Sequence, residues 1–191
     1  MMLAQRTKNL FLSGVLLVGV LVGASVASAV EVGEKAPDFT LPSTIGETIS
    51  LSQFQGKQFV LIEFYGQDYA PVCAANLSAR KADYSKFQQL NIQILGISGN
   101  NLFSQKTFAD SLQLPYPLLS DRSLKVAKAY GVVYGTTEGK NSPDLEGLGA
   151  KRSFFLVDRQ GIVRGRWIGE DLAVFSTEEL LKAAGEIAGK P

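Results

Sequence analysis

Histidine is absent from this 191-residue chain, and cysteine occurs once, as Cys73. The first absence removes the commonest general base and metal ligand together. With one cysteine as well, a zinc or haem site has almost no ligands to draw on, and no metal or cofactor is expected. A lone cysteine cannot form an internal disulfide, so Cys73 is a free thiol or an intermolecular partner. Phosphate cradles of the Gly-x-x-x-x-Gly-Lys or Gly-x-Gly-x-x-Gly kind are missing too. So are heptads, internal repeats and low-complexity tracts. The charges nearly balance at 19 basic and 18 acidic residues, without a basic cluster. That argues against nucleic acid as a partner.

What is present begins with a leader. Arg6 and Lys8 precede an apolar run over about residues 10–23, and Ala27, Ser28 and Ala29 follow as small residues. This pattern predicts a signal peptide over residues 1–29 and an exported body over 30–191, in a periplasmic, lumenal or extracellular setting. The alternative is an uncleaved anchor and a membrane tether, because residues 10–29 are long enough to span a bilayer. The body has the size of one domain.

Its apolar patterning alternates between strands and helices. Residues 38–51 read as a hairpin turning near Gly46. Residues 59–65 (FVLIEFY) are a nearly continuous apolar run, which marks a central strand covered on both faces. A helix is expected over 73–90, where Leu77, Tyr84 and Phe87 recur at helical spacing. A strand over 92–98, a helix over 103–112, a short strand at 118–119 and a helix over 123–130 follow. Strands at 153–157 and 162–168 flank a turn at 158–161, and Ser176 with Glu179 forms a capping box for a last helix. Phe154, Phe155 and Trp167 read as core. Residues 134–150 form a long Gly-rich polar loop. The order implies an α/β protein with a mixed central sheet, helices on both faces and an N-terminal β-hairpin.

Cys73 falls where the central strand has ended and a helix begins. Unpaired N–H groups and the positive end of the helix dipole favour the thiolate there, and the thiolate is the reactive form. A buried structural cysteine is the alternative.

Residues 64–73 (FYGQDYAPVC) resemble the active-site loop of the peroxiredoxin family, an aromatic followed by Pro-x-x-x-Thr-x-x-Cys. Residues 94–100 (ILGISGN), 108–121 (FADSLQLPYPLLSD) and 126–132 (VAKAYGV) follow the same family in order. Residues 152–158 (RSFFLVD) are similar to the segment carrying its catalytic arginine, which makes Arg152 the matching residue. The long loop before Arg152 resembles the bacterioferritin-comigratory, or peroxiredoxin Q, subgroup. The resemblance runs from about residue 32 to 167 and implies a thioredoxin-like fold. It also implies a one-cysteine thiol peroxidase acting on hydrogen peroxide or organic hydroperoxides, regenerated by an outside thiol or a thioredoxin-like reductant.

Three positions depart from the family pattern. The family's proline is Gly66, its threonine is Ala70, and the acid three residues after the cysteine is Asn76. The expectation is a peroxidase weakened or retuned by its loop. Two other readings stay open. One is a thioredoxin-like thiol–disulfide redox partner, in which Ala70 stands where a first cysteine would be. In that reading Glu63 would be an accessory buried acid; otherwise it is a charge at a sheet edge or paired with a basic residue. The other is a binding domain that kept the fold and lost the chemistry.

Overall fold

The computed structural model describes residues 29–135, 149–169 and 176–188. Residues 1–28 of the leader expected over 1–29, and residues 136–148 of the expected loop, lie outside the described residues. A hairpin of β1 (Thr40–Pro42) and β2 (Thr48–Ser50) opens the fold, with Gly46 at φ +90° in its turn. A 3-10 turn over Leu51–Phe54 leads into β3 (Phe59–Phe64). Then come α1 (Pro71–Ala82), α2 (Tyr84–Gln89), β4 (Ile92–Ser98), α3 (Leu102–Leu112), β5 (Leu118–Ser120) and α4 (Lys125–Ala129). Two short strands, β6 (Val133–Tyr134) and β7 (Gly149–Ala150), precede β8 (Ser153–Val157), β9 (Val163–Ile168) and α5 (Thr177–Ala188).

The central sheet runs β5-β4-β3-β8-β9, parallel from β5 to β3 and antiparallel from β3 to β9. All six residues of β3 are buried, as its apolar run requires of a strand with helices over both faces. Alternation along β3 divides the core in two. Val60, Ile62 and Phe64 join Phe39, Tyr130 and Phe155 on one face. Phe59, Leu61 and Tyr65 join Cys73, Leu77, Phe108, Phe154 and Leu180 on the other. Phe154 and Phe155 are core as expected, while Trp167 packs against the second cluster and stays partly exposed.

Three elements depart from the sequence expectation. The single helix over 73–90 is two helices, because Asp83 leaves helical geometry at φ −103°, ψ 10° and its carboxylate pairs with Lys86 Nζ at 2.7 Å. The helix expected from residue 123 begins at Lys125. Leu124 is left-handed at φ 53°, and the Asp121 carboxylate accepts from the Ala127 N–H at 2.8 Å, which caps the helix from outside. The two ends of the long loop pair as β6 and β7.

Candidate active site

Cys73 is the third residue of α1, which starts two residues before it at Pro71. Proline suits that first position because its missing N–H would have no helical acceptor anyway. Ala70 is the N-cap, in extended geometry (φ −62°, ψ 127°), and offers no side-chain acceptor. The amides of Val72 and Cys73 belong to the first turn, where no intrahelical carbonyl reaches them. Such amides and the helix dipole favour negative charge at a helix N-terminus. Cys73 itself is 2% exposed and packs with Leu77 in the core cluster under α1.

The loop from β3 to α1 is held by Asp68. Its carboxylate accepts from Tyr65 Oη at 2.9 Å and from Ser104 Oγ at 2.6 Å, tying the loop to the first turn of α3. Burial pushes the Asp68 carboxyl up, and these two hydrogen bonds oppose the shift. The next residue, Tyr69, is left-handed at φ 60° and 56% exposed, and its ring centre lies 4.9 Å from that of Phe108. The Tyr69 ring thus stands at the rim of the cluster that holds Phe108 and Cys73.

Arg152 arrives from the opposite direction of the chain. Ser153 pairs with Phe64, the last residue of β3, so Arg152 stands where the chain leaves β3 for the Cys73 loop. Its carbonyl accepts from the Gly169 N–H at 2.9 Å, and its half-buried side chain carries an Nε with no hydrogen-bond partner among the described residues. Asn76, one turn after Cys73, is buried, and its Oδ1 likewise has no partner there. Gly66 follows Tyr65. A Cβ at Gly66 would make ordinary contacts with the Ala150 carbonyl at 3.6 Å and Tyr134 Oη at 3.7 Å, so a larger residue has room. Gly66 and Arg152 thus flank the carboxyl end of β3, and the loop and helix that follow that end carry Ala70, Cys73 and Asn76. Among the described residues no group of three or more Cys, Asp or Glu side chains comes together as a metal cage.

Glu63 stands apart from that group. It lies in the middle strand rather than at a sheet edge, and its Oε2 is 3.7 Å from Arg80 Nε, so it is paired with a basic residue. Burial raises its carboxyl to about 7 against the pull of Arg80. Neither Arg80 nor Asp68 was singled out by the sequence reading. A signal for Arg80 existed: positions 73, 77, 80, 84 and 87 form one helical stripe, apolar or aromatic except at Arg80.

Comparison with known proteins places these features in a lineage. Residues 32–166 match the AhpC/TSA family, and the chain belongs to it. It is 38% identical over 141 residues to the chloroplastic peroxiredoxin Q of Suaeda salsa, covering 74% of this chain and 61% of that relative. The putative peroxiredoxin bcp of Coxiella burnetii is 34% identical over 139 residues, covering 73% of this chain and 89% of the relative. Among solved structures, peroxidoxin BcpB from Mycobacterium tuberculosis superposes with a TM-score of 0.71 at 26% identity. That match covers 82% of this chain and 97% of the other. The fold is the thioredoxin-like fold of the peroxiredoxins.

Proposed function

We propose that the chain is a one-cysteine thiol peroxidase whose reacting atom is Cys73 Sγ. The observation that carries this reading is that Cys73 lies in the uncapped first turn of the helix that follows β3, while Arg152 stands beside the end of the same strand. The Cys73 thiolate attacks one oxygen of hydrogen peroxide or an organic hydroperoxide, and the O–O bond breaks. The second oxygen leaves with the bonding pair and takes a proton as water or alcohol. The sulfur, oxidised by two electrons, becomes a sulfenic acid. A permanently charged guanidinium beside the sulfur stabilises both the thiolate and the charge growing on the leaving oxygen. This is the role assigned to Arg152, with its unpartnered Nε. The first-turn amides supply a second source of positive potential.

The chain has no second cysteine to resolve the sulfenic acid. An outside thiol, small or on a thioredoxin-like protein, displaces water from it to form a mixed disulfide, and a second thiol frees Cys73. A thioredoxin-like thiol–disulfide partner is less well supported, since Ala70 occupies the place of its attacking cysteine. The leader supports export, with a mature start near Val30. Intact mass of the exported protein tests that start, and a full-length membrane-bound product contradicts it.

Trapping tests the chemistry. Reduced protein given one equivalent of hydrogen peroxide and dimedone should carry the adduct on Cys73, and Arg152→Lys should form it more slowly. An ammonium lacks the planar fork that holds two partners at once. Equal rates for the two proteins remove Arg152 from the mechanism.

A further inference from the structure

Arg80 lies two helical turns beyond Cys73 on the same buried face of α1, with Asn76 and Leu77 between them. Its side chain is wholly buried and reaches three other elements. Nε stands 3.7 Å from Glu63 Oε2 in β3, and the guanidinium carbon lies 4.9 Å from the ring centre of Phe154 in β8. Nη1 donates to Thr177 Oγ1, at the first residue of α5. α5 in turn packs Leu180 and Ala184 into the cluster that holds Cys73 and Leu77. One side chain therefore fastens the helix bearing the sulfur to both central strands and to the last helix. The chemistry assigned to Cys73 and Arg152 uses none of these groups.

We propose that the Glu63–Arg80 pair positions Cys73 and sets the charge behind it: Arg80 locks α1 in place, and the proton on Glu63 decides the charge of the pair that lies two turns along α1 from Cys73. The inference rests on Cys73 as the reactive atom. With Glu63 protonated the pair carries +1; with Glu63 ionised it carries none. Two helical turns are about 10 Å, and a unit charge at that distance shifts a thiol–thiolate ratio on the order of tenfold at an effective dielectric of about 20.

Among the described residues, the groups facing Glu63 leave it as the one that changes charge near neutrality. Arg80 from α1 keeps its proton. Tyr116, entering β5, donates its hydroxyl to the Leu77 carbonyl at 2.8 Å, and burial with the nearby Glu63 charge raises its ionisation well above 10. Tyr65, two residues along the same face of β3, is raised likewise, chiefly by burial. Tyr84 from α2 packs on Tyr116. β4 and β8 oppose Glu63 with Gly96 and Phe154, and α5 brings Thr177. Glu63 itself is raised to about 7, chiefly by burial.

Thiolate absorbance near 240 nm, followed from pH 4 to 9, tests the proposal without peroxide. The thiolate signal of the reduced wild type should rise over a wider pH range than a one-proton curve, with its slope inflected near pH 7 where Glu63 ionises. Glu63→Gln, which removes the titrating carboxyl from the pair, should lose the inflection near 7 and raise the thiolate-to-thiol ratio above neutrality on the order of tenfold. The double variant Glu63→Leu/Arg80→Leu replaces the pair by apolar groups, a change that buried ion pairs often tolerate. It should lose both the inflection and the gain, and it decides the matter should Glu63→Gln not fold. In wild type labelled with 13C-carboxyl glutamate, the resonance titrating near 7 should move when Cys73 is alkylated, because coupling is reciprocal. A wild-type curve that fits one proton, an inflection that survives in the variants, or a resonance indifferent to Cys73 overturns the proposal. A protein that shows the coupling but consumes no peroxide keeps this inference and loses the peroxidase reading.

Discussion

At the scale of the residue, Ala70 combines two roles that one hydroxyl could improve together. It is the N-cap of α1 without a side-chain acceptor, and it lies three residues before the sulfur. In Ala70→Thr the new oxygen can accept from a first-turn amide while its proton points to the thiolate or the incoming peroxide. The cap alone adds about 1 kcal/mol of stability. A hydrogen bond to a charged group is worth about 1.5–3 kcal/mol, or roughly ten- to a hundredfold in rate if made mainly in the transition state. Ala70→Thr should therefore raise the melting temperature and speed sulfenic acid formation. A higher melting point with an unchanged rate would mean that the hydroxyl only caps. Residue by residue, the place of Cys73 at a helix start was legible because an apolar strand, a short loop and a helical period bracket it. The part of Asp68 was not, since its value comes from Tyr65 and from Ser104, 36 positions away in sequence.

At the scale of the element, α1 carries the proposed reactive sulfur at its N-terminus and an ionic anchor further along. The anchor carries its own pH dependence. The Glu63 carboxyl is held at about 7 in the folded chain against an ordinary 4.5, so the folded state keeps its proton longer than the unfolded one. Its contribution is fully present below about 4.5 and is lost as pH rises through about 7, a swing on the order of 3 kcal/mol. Melts of the wild type should fall between pH 5 and 8 more steeply than those of Glu63→Gln; parallel curves would show that Glu63 does not titrate there. Removing one partner leaves a buried charge alone, so Arg80→Ala should cost about 3–5 kcal/mol in chemical denaturation. A cost below about 1 kcal/mol would show that the pair is open to water. Elements with a strict period were legible, and β4 and β8 have the bounds their apolar runs predict. The break at Asp83 was hidden because Leu77, Tyr84 and Phe87 keep helical spacing across it. The partnership of Glu63 and Arg80 was half visible: each sits at an apolar position of its own period, but only the packing of α1 on β3 shows that they meet.

At the scale of the whole molecule, two apolar layers share one sheet, and the site stands at one end of the middle strand. The layers meet through β3 and β8, so they should unfold together. Trp167, the single tryptophan, lies in β9 and packs on the layer that holds Cys73. Its fluorescence and the far-ultraviolet circular dichroism should give superimposable denaturation curves, and separate midpoints would contradict one cooperative unit. The most direct test of the central claim is stopped-flow consumption of hydrogen peroxide by the reduced protein, with mass analysis of the product. The account predicts a reaction faster than that of free cysteine, absent in Cys73→Ser, yielding a chain heavier by one oxygen that only an added thiol restores. A rate equal to that of free cysteine, or one unchanged in Cys73→Ser, would contradict it.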